Sequence, residues 1–346
     1  MNSIRVFEAF AGVGCQHQAL KNINVDFEIV GISEIDKFAI KTYEALHGKV
    51  NNYGDISKIE PSELPDFDLF TYSFPCQDIS IAGYRLGLEK GSNTRSSLLW
   101  ECEKVIKEKK PKYLLMENVK NLIGKNNRPH FQKWLELLED MGYTNYWQVI
   151  NAKDFGVPQN RERVFCVSIR GKHKPFSFNY QCQNKKVLKD FLDTSYENKY
   201  FVSPCFVHHI EFDDINKKQV GIINKKGLYD VEKRIYGVYD NYTSVITRAR
   251  NHIYQPIKYV TEDVRTEWLA YIGKYFDMSD EKNEIIKNGV VRRITERESW
   301  KLMGFEEDEI KKAFSIGNSK TQLYKQAGNG IVIPILEYIF KTMLLT

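Results

Sequence analysis

The chain opens with a short apolar run that breaks into glycines and restarts as a helix, and this opening narrows the choice of fold most. Ile4-Arg5-Val6-Phe7-Glu8-Ala9-Phe10 has the composition of a strand, and Ala11-Gly12-Val13-Gly14 is a tight turn. A helix is expected from Cys15 to Lys21. A strand feeding a glycine turn and a helix is a βα unit, and its open backbone and helix N-terminus suit a nucleotide-like ligand. The alternation continues with a strand from Glu28 to Ser33, a helix from Asp36 to Leu46 and a strand from Asp68 to Tyr72. Leu98, Leu99, Cys102, Val105 and Ile106 then recur at helical spacing, in a helix that ends before Pro111. Lys112 to Met116 is a continuous apolar strand, and Phe131, Trp134, Leu135 and Leu138 mark the next helix, closed by Gly142. Tyr146 to Ile150 and Val164 to Ile169 are further strands. Strands alternating with helices over roughly the first 170 residues predict an α/β sandwich.

Glu34 falls about 20 positions after Gly14, the offset at which an acidic residue meets ribose hydroxyls. His17 stands where a dinucleotide fingerprint needs its third glycine, so a smaller adenosine-containing cofactor without a pyrophosphate suits the pattern better. At the end of the Leu69-Phe70-Thr71-Tyr72 strand comes Ser73-Phe74-Pro75-Cys76-Gln77. Open α/β sheets place their chemistry at such strand ends. Pro75 fixes its own φ and biases Phe74 toward extended backbone, which stiffens the turn that carries Cys76. Taken alone, a cysteine of this kind is usually a buried structural thiol. Gln77 to Arg95, rich in glycine and serine, is expected to be a mobile loop.

Size and composition exclude several classes. The 346 residues suggest one large domain and a smaller one, and 42% hydrophobic with 27% charged residues is the balance of a soluble globular protein. No apolar run reaches the length of a membrane span, and Met1-Asn2-Ser3-Ile4-Arg5 lacks the order of a secretory signal. Six scattered cysteines without a Cys-x-x-Cys pair argue against a zinc site or a disulfide framework, so no metal is expected. A reducing cytoplasm fits best. The net charge of +5 permits a polyanionic partner without requiring one.

Beyond Gly171 the alternation fades, lysine pairs appear and Arg248-Ala249-Arg250-Asn251-His252 forms a basic cluster. Between Gly171 and Val290, 19 basic residues face 16 acidic ones, so charge alone does not mark this second domain as a nucleic-acid binder. Arg292 to Phe305 is expected to be helical, and Gln326-Ala327-Gly328-Asn329-Gly330 to be a loop before an apolar helix starting at Ile331. The expected domains are 1–172 with 318–346, and 173–317.

In this order, the chain resembles the cytosine-5 DNA methyltransferase family of prokaryotic restriction-modification type. The resemblance rests on Phe10-Ala11-Gly12-Val13-Gly14, Phe74-Pro75-Cys76-Gln77, Glu117-Asn118-Val119, Gln159-Asn160-Arg161-Glu162-Arg163, Arg293-Ile294-Thr295 with Gly304-Phe305, and Gly328-Asn329-Gly330. It implies an S-adenosylmethionine-dependent methyltransferase sheet, Rossmann-like, with a smaller, irregular target-recognition domain at 173–317. It implies S-adenosyl-L-methionine as cofactor, leaving as S-adenosyl-L-homocysteine. Phe10, Gly12, Gly14, Glu34, Ile35, Asp55, Pro75, Leu98 and Asn329 would line its pocket, with Glu34 on the ribose and Asp55 on the adenine edge. Relatives often carry a tryptophan where Ile35 stands, so adenine stacking is weaker or differently built there. Glu8 replaces the more usual aspartate, and Gly330 the usual serine.

The implied chemistry agrees with what the residues could do unaided. Cys76 attacks carbon 6 of a cytosine, Glu117 shares a proton with ring N3, Arg163 addresses the O2 oxygen and Arg161 supports it. The base must leave the duplex to be reached. Gln77, Ser80, Arg248 and Arg250 are candidate DNA contacts. The implied partner is double-stranded DNA, with a possible restriction endonuclease alongside, and the enzyme is expected to act as a monomer. Two other readings are a tRNA cytosine-5 methyltransferase, of which Cys205-Phe206-Val207 is a partial echo, and a DNA-binding regulator on a silent scaffold.

Overall fold

The computed structural model describes residues 3–75, 95–180, 186–213, 219–225, 234–237, 243–244 and 252–345. Cys76, Gln77, Ser80, Arg248 and Arg250, and nearly all of the loop expected from Gln77 to Arg95, lie outside the described residues. Two units are present. The first comprises Met1–Asn151, Glu162–Gln181 and Gly330–Thr346; the second comprises Ala152–Arg161 and Cys182–Asn329. The second unit is thus wider than 173–317: it takes in residues 152–161 and extends to Asn329.

The first unit is built on one sheet. Its strands are β1 (Ile4–Ala9), β2 (Phe27–Ser33), β3 (Leu69–Tyr72), β4 (Tyr113–Val119), β5 (Tyr143–Asn151) and, after the short β6 (Gln159–Asn160) of the other unit, β7 (Glu162–Arg170). Their order is β2-β1-β3-β4-β7-β5. The first four run parallel, and β7 is antiparallel to both its neighbours. All four residues of β3 are buried, as expected where both faces of a parallel sheet are covered.

The helices α1 (Cys15–Asn22), α2 (Lys37–His47), α3 (Leu99–Lys109) and α4 (Arg128–Asp140) follow the periodicity read from the sequence. Asp36 caps α2 by accepting from the amides of Phe38 and Ala39. Phe131, Trp134, Leu135 and Leu138 form the buried face of α4. Trp134 and Trp100 join Tyr72, Phe70 and Phe7 in the main core, directly behind the strand end that leads to Pro75.

The second unit is more regular than its sequence suggests. β8 (Ile210–Phe212), β9 (Gln219–Ile223), β10 (Arg234–Gly237), β12 (His252–Pro256) and β13 (Gly289–Arg293) form a sheet ordered β13-β12-β10-β9-β8. A separate parallel pair joins β6 to β11 (Thr243–Ser244). Trp268, from the helix Glu262–Ile272, is fully buried in the core of this unit.

Two expectations are corrected here. Arg292 and Arg293 belong to strand β13 rather than a helix, because the β-branched Val290 and Val291 pair with β12. The helix starts only at Glu296, where Thr295 and Glu298 form a reciprocal capping box. Likewise Gln326 to Asn329 complete the helix Lys320–Asn329, and the last helix is Ile333–Leu344, with Pro334 in its first turn.

Candidate active site

The glycine turn at the end of β1 has left-handed backbone at alternate residues. Phe10, Gly12 and Gly14 have φ of 56°, 59° and 81°. For Phe10 this conformation is strained, which marks the turn as a functional position. Glu34, at the end of β2, braces the turn: its Oε2 accepts from the Gly12 amide at 2.8 Å, and its Oε1 from the amides of Ile35 and Asp36, each at 2.8 Å. An ionised carboxylate offers about four lone-pair sites, so three such bonds leave it room for one more donor. Asn52 holds the Glu34 backbone through both its amide atoms.

Above Gly12 the space is open, since a Cβ there would meet nothing within 4 Å. Ile35 is 73% exposed, and Phe10 and Leu98 are half-buried at the rim of the main core. Asp55 caps the turn that follows it, and its hydrogen bonds from Ser57 hold its carboxyl below the usual range.

Behind the turn lies a polar cluster that the sequence does not announce. The Tyr43 hydroxyl stands 2.9 Å from Glu8 Oε2 and 3.0 Å from His17 Nδ1. The His17 ring stacks on His47 with centroids 4.1 Å apart, and His47 Nε2 meets the Val13 carbonyl at 3.2 Å. Burial pushes the Glu8 carboxyl up to about 7, while burial lowers His17 to about 4 and His47 to about 3, with the neighbouring His17 lowering His47 further and Lys21 adding to both.

These shifts make a signed prediction. Between pH 4.5 and 6.5 the unfolded chain protonates two imidazoles that the folded chain keeps neutral. Over the same range the folded chain retains a carboxyl proton that the unfolded chain has lost. The unfolded state therefore binds one net proton more, and this cluster's contribution to stability falls by about 1.4 kcal/mol per pH unit as pH drops. Glu8→Gln removes the opposing carboxyl, so thermal melts across this range should show a steeper loss toward acid than wild type. Equal slopes would refute the assignment.

At the end of β3 the Phe-Pro turn is gripped from two sides. Asn118 Nδ2 donates to the Phe74 carbonyl at 2.9 Å, and Ser96 Oγ donates to the Pro75 carbonyl at 2.7 Å. Neither role was assigned from the sequence: Asn118 lay within a quoted motif, and Ser96 carried no signal. Both side chains are buried. Ser96→Ala or Asn118→Ala should each cost about 1 kcal/mol in stability. Each should lower kcat by about tenfold, because small misplacements of a reacting group are expensive. Single-turnover kinetics beside melts would separate the two effects.

Next along the sheet, Glu117 sits near the end of β4 and Arg163 near the start of the antiparallel β7. This register brings Arg163 Nε within 3.2 Å of Glu117 Oε1, with both side chains largely buried. Arg163 Nη1 also donates to the Glu162 carbonyl at 2.8 Å, which orients the guanidinium.

The family model of the C-5 cytosine-specific DNA methylases matches residues 4–345 of the chain. The chain belongs to this family. It is a DNA methyltransferase acting at carbon 5 of cytosine. It is similar to the type II methyltransferase M2.ScrFI of Lactococcus lactis subsp. cremoris, at 38% identity over 98% of this chain and 99% of that one. It is also similar to the orphan methyltransferase M.SPBetaI of Bacillus phage SPbeta, at 31% identity over 100% and 98%. Among solved structures, S. pombe Dnmt2 methyltransferase matches with a TM-score of 0.70 at 20% identity, covering 99% of this chain and 98% of that one. Entamoeba histolytica methyltransferase EhMeth matches at 0.72 and 16%, with coverage of 99% and 98%. At such identities the likeness is one of fold, and the fold is that of the S-adenosylmethionine-dependent methyltransferases.

For this methyltransferase the open glycine turn, the acidic Glu34 and the exposed Ile35 fit an adenosine-containing cofactor. Arg161, expected to support Arg163, also makes a contact within the second unit. Its Nη2 donates to the Gly328 carbonyl at 3.0 Å, within the second unit, so it braces the backbone next to Asn329. The preceding Gln159 is fully buried and donates to the Leu302 carbonyl.

Proposed function

We propose that the chain moves the methyl group of S-adenosylmethionine to carbon 5 of a cytosine flipped out of a specific duplex DNA site, with Cys76 bonding transiently to carbon 6. The observation that carries this reading is the 3.2 Å pairing of Glu117 with Arg163. N3 and O2 are adjacent positions on one edge of cytosine, so a carboxylate and a guanidinium held side by side can address both at once. Arg163 donates to O2, and Glu117 shares a proton with N3, drawing off the charge that thiolate attack pushes into the ring. Ser96 and Asn118 hold the carbonyls of Pro75 and Phe74, the backbone that leads into Cys76.

S-adenosylmethionine supplies an electrophilic methyl group. Phe10, Gly12, Gly14, Glu34, Ile35, Asp55, Pro75 and Leu98 would hold it. Loss of the carbon 5 proton to a water molecule and release of the Cys76 thiolate restore the aromatic ring.

The second unit reads the DNA sequence through Arg248 and Arg250, while Gln77 and Ser80, which belong to the first unit, are further DNA contacts. The enzyme works as a monomer in the cytoplasm of a prokaryote, from a cellular or a phage gene, either beside a restriction endonuclease whose cut it blocks or as a solitary methyltransferase. Among the described residues no helix is long and apolar enough to cross a membrane.

The test is transfer of labelled methyl groups to duplex DNA and, separately, to tRNA, with bisulfite sequencing of DNA from expressing cells. Label in DNA at a recurrent cytosine context is expected. Label confined to tRNA would replace the substrate and leave the chemistry standing.

A further inference from the structure

The cluster behind the glycine turn is polar where apolar side chains would fill the space at lower cost. The Val13 carbonyl can only accept, so His47 carries its proton on Nε2. Its Nδ1 is then a bare acceptor, buried and without a hydrogen-bond partner. Such an atom costs free energy on burial, and proteins retain that cost where it does something. The His47 ring also occupies the space beside Gly14, where a Cβ would come within 2.6 Å of it. The stacked His17 and His47 rings cannot both carry charge at 4.1 Å.

Tyr43 has one proton and two partners. When Glu8 is ionised, Tyr43 donates to it and His17 donates from Nδ1 to the Tyr43 oxygen. When Glu8 holds its proton, the direction of both bonds reverses. The titratable groups that act on one another in the cluster are Glu8 from β1, His17 and Lys21 from α1, and Tyr43 and His47 from α2.

We infer that His47 is a positioning residue for cofactor binding: its neutral imidazole holds the Val13 carbonyl and so sets the Gly12–Gly14 backbone. Tyr43 and His17 keep that imidazole flat against its neighbour, and Glu8 anchors the far end of the chain. The inference rests on the reading that this turn binds S-adenosylmethionine.

The experiment is calorimetric titration of the full chain with S-adenosylhomocysteine, for wild type, His47→Leu and His47→Gln, beside melts and steady-state kinetics at saturating duplex DNA. Leucine keeps bulk and removes the donor, and should weaken binding about fivefold, the worth of one hydrogen bond. The KM for S-adenosylmethionine should rise by a similar factor while kcat moves less. Glutamine, whose side-chain amide reaches about as far as the imidazole Nε2, should recover most of the loss. Wild-type affinity in His47→Leu, or no recovery in His47→Gln, overturns the inference and leaves the cofactor reading intact. Failure of the wild-type chain itself to bind S-adenosylhomocysteine overturns both. If His47→Leu does not fold, His47→Phe keeps a stacked ring and removes the donor to Val13, and wild-type affinity there overturns the inference equally.

Discussion

Replacing Cys76 by alanine is expected to abolish methyl transfer, with a loss of about ten-thousandfold or more. Carbon 5 of cytosine is a poor nucleophile until electron density is pushed into the ring. Neither Glu117 nor Arg163 can supply that density, because both act on the edge that receives charge. Only a nucleophile added at carbon 6 turns carbon 5 into a carbanion equivalent, so removing the sulfur removes the step. Binding should survive, since the polar groups that meet the base are untouched. The direct check uses an oligonucleotide carrying 5-fluorocytosine at the target. After methyl transfer the fluorine cannot leave as a proton does, and the adduct stays on the enzyme. A crosslink mapped to position 76 in wild type, absent in Cys76→Ala, is the expected result. A crosslink at another residue, or none on a cognate site, would sink the mechanism.

Glu298→Ala should destabilise the second unit by about 3–5 kcal/mol, the usual cost of leaving one partner of a buried pair alone. Arg292 and Glu298 are both fully buried and meet in bidentate geometry, with contacts of 2.6 and 2.8 Å. Arg292 Nε also donates to Gln255 Oε1, and its guanidinium lies 4.0 Å from the centre of the Tyr196 ring. Glu298 Oε2 accepts from the Thr295 amide in the capping box. Losing the carboxylate therefore strands a charge, uncaps a helix and unhooks a strand together. The double change Arg292→Met with Glu298→Leu should recover a large part of the loss, because paired charges bring little net stability over well-packed apolar ones. Burial alone would raise the Glu298 carboxyl, but Arg292 and the Thr295 amide hold it below its ordinary 4.5. Its contribution is thus present above that value and lost as pH falls through the lowered one. Urea midpoints of the two singles and the double close the cycle. A loss under about 1 kcal/mol in Glu298→Ala would contradict the buried-pair account.

Much of the first unit was legible because its signals are local. The six strands of the main sheet lie within a few residues of the apolar runs that predict them, and Asp36, Pro111 and Gly142 punctuate the helices as expected. The second unit was harder to read because its described strands are only two to five residues long and each is stabilised mainly by its neighbour. Arg292 illustrates the failure. A run of arginine, glutamate and apolar residues fits a helix by composition, yet pairing with β12 overrides that preference up to Arg293.

The amino-acid sequence by itself determined the glycine turn, the Phe-Pro-Cys stretch, the acid at the end of β4 and the arginine motif, and with them the family. Those are neighbour effects along the chain: turn chemistry, periodicity and residue spacing. Only the tertiary structure decided which of them meet. The antiparallel register of β4 and β7 sets Arg163 beside Glu117, and the fold closes Ser96 and Asn118 on the turn after β3. It gives Arg161 to Gly328 and stacks His17 on His47. Such contacts depend on strand register and packing between segments far apart in the chain, and no local pattern carries that information.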